Sequence, residues 1–219
     1  LPDGVVNIVT GDGKAGSALV AHKGVDKIGF TGSTATGKAI VRSAADNLKR
    51  VSLELGGKSP VFVFPDADLD AVIPGAAMSV LLNSGQACTA GSRLYIHEDI
   101  YDRVIDGVAA FVEKLKLGHG LDETTNLGPL ISEKQYNRVS GLLQSGLDEG
   151  ASVVTGGKRH GTDGFFVQPT LLTGVTPDMQ VYREEIFGPV ISAMKINSTN
   201  VDALAREANN SDYGLAASI

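Results

Sequence analysis

Cysteine occurs once in this 219-residue chain, as Cys88. A lone cysteine excludes an intrachain disulfide, fits a reducing compartment, and makes any thiol chemistry a question about one residue. Histidine is almost as scarce: His22, His97, His119 and His160 form no HExxH, and there is no CxxC, so a dedicated zinc site is not expected. No apolar run approaches the roughly 20 residues of a membrane-spanning helix, because Gly, Pro or a charge breaks each candidate. Clustered positive charge is missing as well. With 19 Lys+Arg against 25 Asp+Glu the net charge is −6, and the bases are scattered, which argues against a nucleic-acid footprint or a polybasic membrane patch. What remains is the composition of a globular protein, 42% hydrophobic and 20% charged, with ample length for a core.

The patterning alternates strands and helices. Val5 to Thr10 is β-branched and ends at Gly11-Asp12-Gly13, which predicts a buried strand followed by a helix over about 15–23. A second strand over 26–31, a helix over 36–48 with Ala39, Ile40, Ala44 and Leu48 on its apolar face, and strands over 51–55 and 60–64 follow. Strand, helix, strand, helix implies parallel α/β architecture. From Leu69 apolar residues recur at 72, 73, 76, 77, 80 and 81, the signature of a helix face, with Asp68 as N-cap. Pro74 inside that pattern should kink the helix or delay its start. A strand over 93–97 and a helix carrying Ile100 to Leu115 come next. Ser132-Glu133-Lys134-Gln135 has the form of a capping box opening another helix. A last helix is expected near 201–208. The double glycine Gly56-Gly57 is the preferred domain boundary, giving units 1–57 and 58–219. The ends, Leu1-Pro2-Asp3-Gly4 and a strand-like Ala217-Ser218-Ile219, suggest a piece of a longer protein.

Three motifs nearly fit other chemistries. Gly11-Asp12-Gly13-Lys14-Ala15-Gly16 has the spacing of a dinucleotide fingerprint, but the next strand ends without the acid that would hold a ribose. Gly32-Ser33-Thr34-Ala35-Thr36-Gly37-Lys38 comes within one residue of a P-loop, yet Ala39 stands where a magnesium-holding hydroxyl is needed. Asp66-Ala67-Asp68-Leu69-Asp70 opens like a calcium loop but lacks the Gly and the bidentate Glu, so its acids read as helix caps.

The constellation that does fit places Cys88 in a glycine-flanked loop, Asn83-Ser84-Gly85-Gln86-Ala87-Cys88, where backbone N–H groups can face whatever bonds to the sulfur. A buried, inert cysteine is the competing reading. Glu54, at the carboxyl end of a strand, can project into the crevice that parallel sheets use for ligands. With these residues, the chain resembles the aldehyde dehydrogenase superfamily along its whole length. Phe30-Thr31-Gly32-Ser33 with Gly37 resembles its cofactor loop, and Leu53-Glu54-Leu55-Gly56-Gly57-Lys58-Ser59-Pro60 its glutamate signature. The Asn83 to Cys88 loop resembles its cysteine signature, and Glu184-Glu185-Ile186-Phe187-Gly188-Pro189 its nicotinamide-side motif.

The resemblance implies the end of a variant Rossmann-type cofactor domain followed by an α/β catalytic domain with a mainly parallel sheet. It implies oxidation of an aldehyde to the acid with NAD or NADP: Cys88 as nucleophile, and Glu54, tuned upward by burial, as the base that activates water. Gly32, Ser33, Thr34 and Gly37 would meet the pyrophosphate, Leu55 the carboxamide, Glu185 the nicotinamide ribose and Phe187 the ring, with Gln135 and Arg138 toward the adenosine. The expected partner is a small-molecule aldehyde rather than nucleic acid or membrane, in a cytoplasmic homodimer or homotetramer. The family's oxyanion-holding Asn belongs to a stretch before Leu1, so these residues alone are expected to be inactive. The rivals are a non-catalytic relative of that fold and a P-loop nucleotide-binding protein.

Overall fold

The computed structural model describes residues 1–219, and the chain divides into two compact units, Leu1–Gly56 and Gly57–Ile219. In the first, helix α1 (Gly13–Ala21) precedes strand β1 (Lys27–Thr31), helix α2 (Thr34–Ala44) and strand β2 (Arg50–Glu54). The two strands pair in parallel, Lys27 opposite Arg50 through Thr31 opposite Glu54. Helix α2 buries Gly37, Ile40 and Ala44, one residue per turn on one side.

Three expectations fail here, each for want of a neighbour. Val5 to Thr10 is not a strand: it pairs with nothing, and Val5, Val6, Ile8 and Val9 are exposed. A β-branched run becomes a strand only when another strand takes its backbone hydrogen bonds. Ala39 is exposed on the outer side of α2. Leu48, expected on the apolar face, lies beyond the helix: α2 tightens into a 3-10 turn at Ala45–Asn47, and Leu48 takes φ +56° with its side chain in solvent.

The second unit is a three-layer α/β structure. Strands β3 (Pro60–Val63), β4 (Arg93–His97), β5 (Ser152–Thr155), β6 (Thr170–Thr173) and β7 (Val190–Ile196) form one sheet in the order β3-β4-β7-β6-β5. Three of the four pairings are parallel and only β5 is antiparallel. At the outer edge of β3, Ser218 forms a single parallel bridge opposite Val61.

Alternation along the strands sends side chains to two cores. Val61, Val63, Leu94, Ile96, Ile191 and Ala193 face helices α3 (Leu69–Leu81) and α4 (Tyr101–Val112). Phe62, Tyr95, Val190 and Met194 face helices α5 (Glu133–Asp148) and α7 (Val201–Ala208), with the short α6 (Gln180–Arg183) beside them. Phe62 and Tyr95 stack at 4.8 Å across β3 and β4. Asp68 caps α3 by accepting from the Asp70 N–H, and the helix starts at Leu69 with Pro74 inside it, so the proline delays nothing. Pro74 falls in the second turn, where its missing N–H leaves one carbonyl of the first turn without a partner.

Candidate active site

The first unit carries six of the expected site residues, Gly32, Ser33, Thr34, Gly37, Glu54 and Leu55. Because β1 and β2 run parallel, their carboxyl ends lie together, which puts the Gly32–Ser33 turn beside Glu54. The Gly32 N–H donates to the Glu54 carbonyl at 3.0 Å. Ser33 is the N-cap of α2: its hydroxyl accepts from the Thr36 N–H at 3.3 Å and lies 3.0 Å from the Thr36 hydroxyl. Thr34 opens the helix, and Gly37 is buried beneath Leu55. Helix therefore begins four residues before Lys38, so no open phosphate-cradling loop forms between Gly32 and Lys38. That removes the P-loop rival. Glu54 ends β2 exposed, so the burial expected of it is not seen within this chain.

The second unit assembles the rest around Cys88. After α3 the chain makes a tight turn in which Asn83, Ser84 and Gly85 all have positive φ, at 53°, 55° and 74°. Consecutive left-handed residues in non-glycine positions are costly and persist only when the surroundings hold them. The Ser84 hydroxyl donates to the Gly128 carbonyl at 2.7 Å. The Asn83 amide donates to the Gln86 carbonyl at 3.1 Å, and the Gln86 side-chain oxygen accepts from the Ile131 N–H at 2.9 Å. Cys88 follows, half-buried, in a turn closed by the Ala90 N–H on the Ala87 carbonyl.

Two glycines bring the other motifs against this loop. A side chain on Gly85 would strike the backbone of Gly188 and Pro189, so the cysteine loop and the 184–189 loop touch main chain to main chain. Gly57 abuts the carbonyl of Cys88 in the same way, and its N–H donates to the Glu185 carboxylate at 3.0 Å. Burial raises the Glu185 carboxyl above its ordinary range against the Gly57 hydrogen bond and the Arg138 and Lys58 charges. Phe187 takes φ +56° and is half-buried.

Helix α5 fixes this second loop. The Ser132 hydroxyl caps the helix by accepting from the Gln135 N–H, yet the Gln135 side chain does not return to Ser132 as a capping box would. It donates instead to the carbonyls of Ile186 and Phe187, at 3.1 and 2.9 Å. Arg138, one turn on, donates to the Glu185 carbonyl at 2.8 Å and pairs with the Glu184 carboxylate at 3.3 Å.

Comparison with known proteins decides what this assembly belongs to. The aldehyde dehydrogenase family profile matches residues 1–219. The mitochondrial aldehyde dehydrogenase of Leishmania tarentolae is 50% identical over 220 residues, covering 100% of this chain and 44% of that protein. Retinal dehydrogenase 2 of Gallus gallus is 48% identical over 220 residues, covering 100% of this chain and 42% of that protein. An aldehyde dehydrogenase of Bacillus cereus solved in complex with NAD+ superposes with a TM-score of 0.96 at 48% identity, covering 99% of this chain and 44% of that one. The chain belongs to the aldehyde dehydrogenase family. It spans less than half the length of these relatives.

Within an aldehyde dehydrogenase, some supporting residues escaped the motif reading. Gly57 and Gly85 were visible as letters of signatures, but what they touch lies far along the chain. Arg93 drew no notice, although an arginine opening an otherwise apolar strand is the kind of residue that burial makes informative. It is fully buried, donating to the carbonyls of Lys58 at 2.7 Å and Ala208 at 2.8 Å, over the rings of Tyr95 and Tyr182. Arg93 thus ties the glutamate signature to β4 and α7.

Proposed function

We propose that the whole protein oxidises an aldehyde to the carboxylic acid with NAD(P)+, through covalent attachment to Cys88 and hydrolysis. One observation carries the reading: Gly57, of the glutamate signature, packs on the Cys88 carbonyl while its N–H holds the Glu185 carboxylate, so three signature segments meet at one residue. The first unit is read as the end of the cofactor domain and the second as the catalytic domain.

The residues suit the cofactor. Gly32 and Ser33 are exposed at the N-terminus of the eleven-residue α2, whose free N–H groups and dipole favour a phosphate. Glu185 keeps one carboxylate oxygen without a protein donor, open to ribose hydroxyls. By the family resemblance Thr34 and Gly37 are assigned to the pyrophosphate, Leu55 to the carboxamide and Phe187 to the nicotinamide ring. Gln135 and Arg138 are assigned here to positioning, since both already hold the backbone of the 184–187 segment. The bound cofactor supplies the hydride acceptor.

Cys88 as thiolate adds to the aldehyde carbonyl, and loss of hydride from the adduct leaves a thioester on the sulfur. Glu54 then takes a proton from water, the resulting hydroxide attacks the thioester carbonyl, and the acid departs as Cys88 is regenerated. The presence of Glu54 supports hydrolysis over acyl transfer to a second thiol. The free thiol fits a reducing compartment, the cytoplasm first, and the family resemblance supports a homo-oligomer.

The test follows reduced-nicotinamide absorbance in the whole protein with an aldehyde panel. Cys88→Ala is expected to abolish turnover. Glu54→Gln should give one burst near enzyme stoichiometry and then stall. An unchanged rate in Cys88→Ala would make the thiol structural and sink the reading.

A further inference from the structure

Lys58 follows Gly57 directly and has no part in the chemistry above. Its side chain is wholly buried, and its ammonium nitrogen has no hydrogen-bond partner. Lysine is almost never fully buried without a partner, because removing its charge from water is costly. The charged groups acting on it come from three elements: Arg93 on β4, Arg138 on α5, and Glu184 and Glu185 in the loop before β7. Arg93 offers no counter-charge, and its own hydrogen bonds all go to neutral oxygens. Glu184 is taken by Arg138. Glu185 remains, half-buried, one residue away through the Gly57 N–H that it accepts.

We propose that Lys58 is a positioning residue: its buried amine is the counter-charge that keeps the Glu185 carboxylate ionised, and so on the Gly57 N–H, when the medium turns acidic. Burial pushes the amine down to about 7, assisted by Arg93, and the same burial pushes Glu185 up. Below about 7 the amine carries its proton, and that positive charge opposes protonation of Glu185. A lysine acting only as apolar filler would leave the titration of Glu185 unchanged.

This inference rests on the cofactor role given to Glu185, so the experiment reads the two separately. In the whole protein, Lys58→Met, Lys58→Arg, Glu185→Gln and the Met/Gln double variant are compared by NAD+ titration calorimetry and by thermal unfolding, from about pH 6 to about pH 9. For Lys58→Met the acid limb of NAD+ affinity is expected to move up by about one pH unit, so that binding weakens toward the acid end of the range and is unchanged at about pH 9. Lys58→Arg should keep the parental limb. Glu185→Gln should have no limb, and adding Lys58→Met to it should change nothing further. The unfolding cycle should show coupling between positions 58 and 185 at about pH 6 that fades by about pH 9. A Lys58→Met profile parallel to the parent at every pH, or no coupling in the cycle, would overturn the proposal. If the parent binds no NAD+, the cofactor role of Glu185 falls instead, and the unfolding cycle alone decides Lys58.

Discussion

At the scale of single residues, Gly57 is the position with least freedom. Its missing side chain lets the glutamate signature lie on the backbone of Cys88, and a carbonyl of the main chain cannot swing aside as a side-chain tip can. Gly57→Ala is therefore expected to cost about 1–3 kcal/mol in denaturant unfolding. It should also lower kcat more than it raises KM for cofactor, since the displaced atom belongs to Cys88 itself. An alanine variant with parental kcat would show that the contact is slack. Cys88, Glu54 and Glu185 stand out as candidates from signature letters alone. The environment of Glu54 is not legible there: burial depends on what covers a strand end, and within this chain the carboxylate is exposed.

At the scale of elements, the 184–189 loop is the part whose shape is imposed from outside. Phe187 sits in the left-handed region, and Gln135 holds the carbonyls on either side of that strain. Gln135→Leu removes both hydrogen bonds and is expected to cost about 1–3 kcal/mol. Amide exchange should rise in residues 184–188 while α5 keeps its protection; unchanged exchange there would mean the loop holds itself. The helices were read well where periodicity or a cap marked them, as in α3 with Asp68 and α5 with Ser132. Gln135 shows why caps are only half legible: its N–H obeyed the local pattern while its side chain answered a loop some fifty residues away. Val5 to Thr10 shows the converse, a strand-like composition with no strand beside it.

At the scale of the whole molecule, Lys58 makes stability depend on pH. Its folded-state value lies near 7 against an ordinary 10.5, so between those limits the unfolded chain binds more protons than the folded one. Stability then rises with pH across that window, and the lysine is a net burden below about 7. Lys58→Met should flatten the rise, narrowing the gap in Tm between about pH 7 and about pH 10; a slope equal to the parent's would contradict the assignment. The two units also differ in how firmly each is closed. Val20, Ile40 and Ala44 are the entire apolar core of the first, beneath a sheet of two strands, whereas the second has two cores on either side of five. Taken by themselves, residues 1–56 have little interior to hold them closed. Any ligand that grips the Ser33 turn only when it is closed would shift that equilibrium by mass action. For residues 1–56 taken by themselves, occupancy would thus act as a folding force, added to whatever else packs on them in the whole protein.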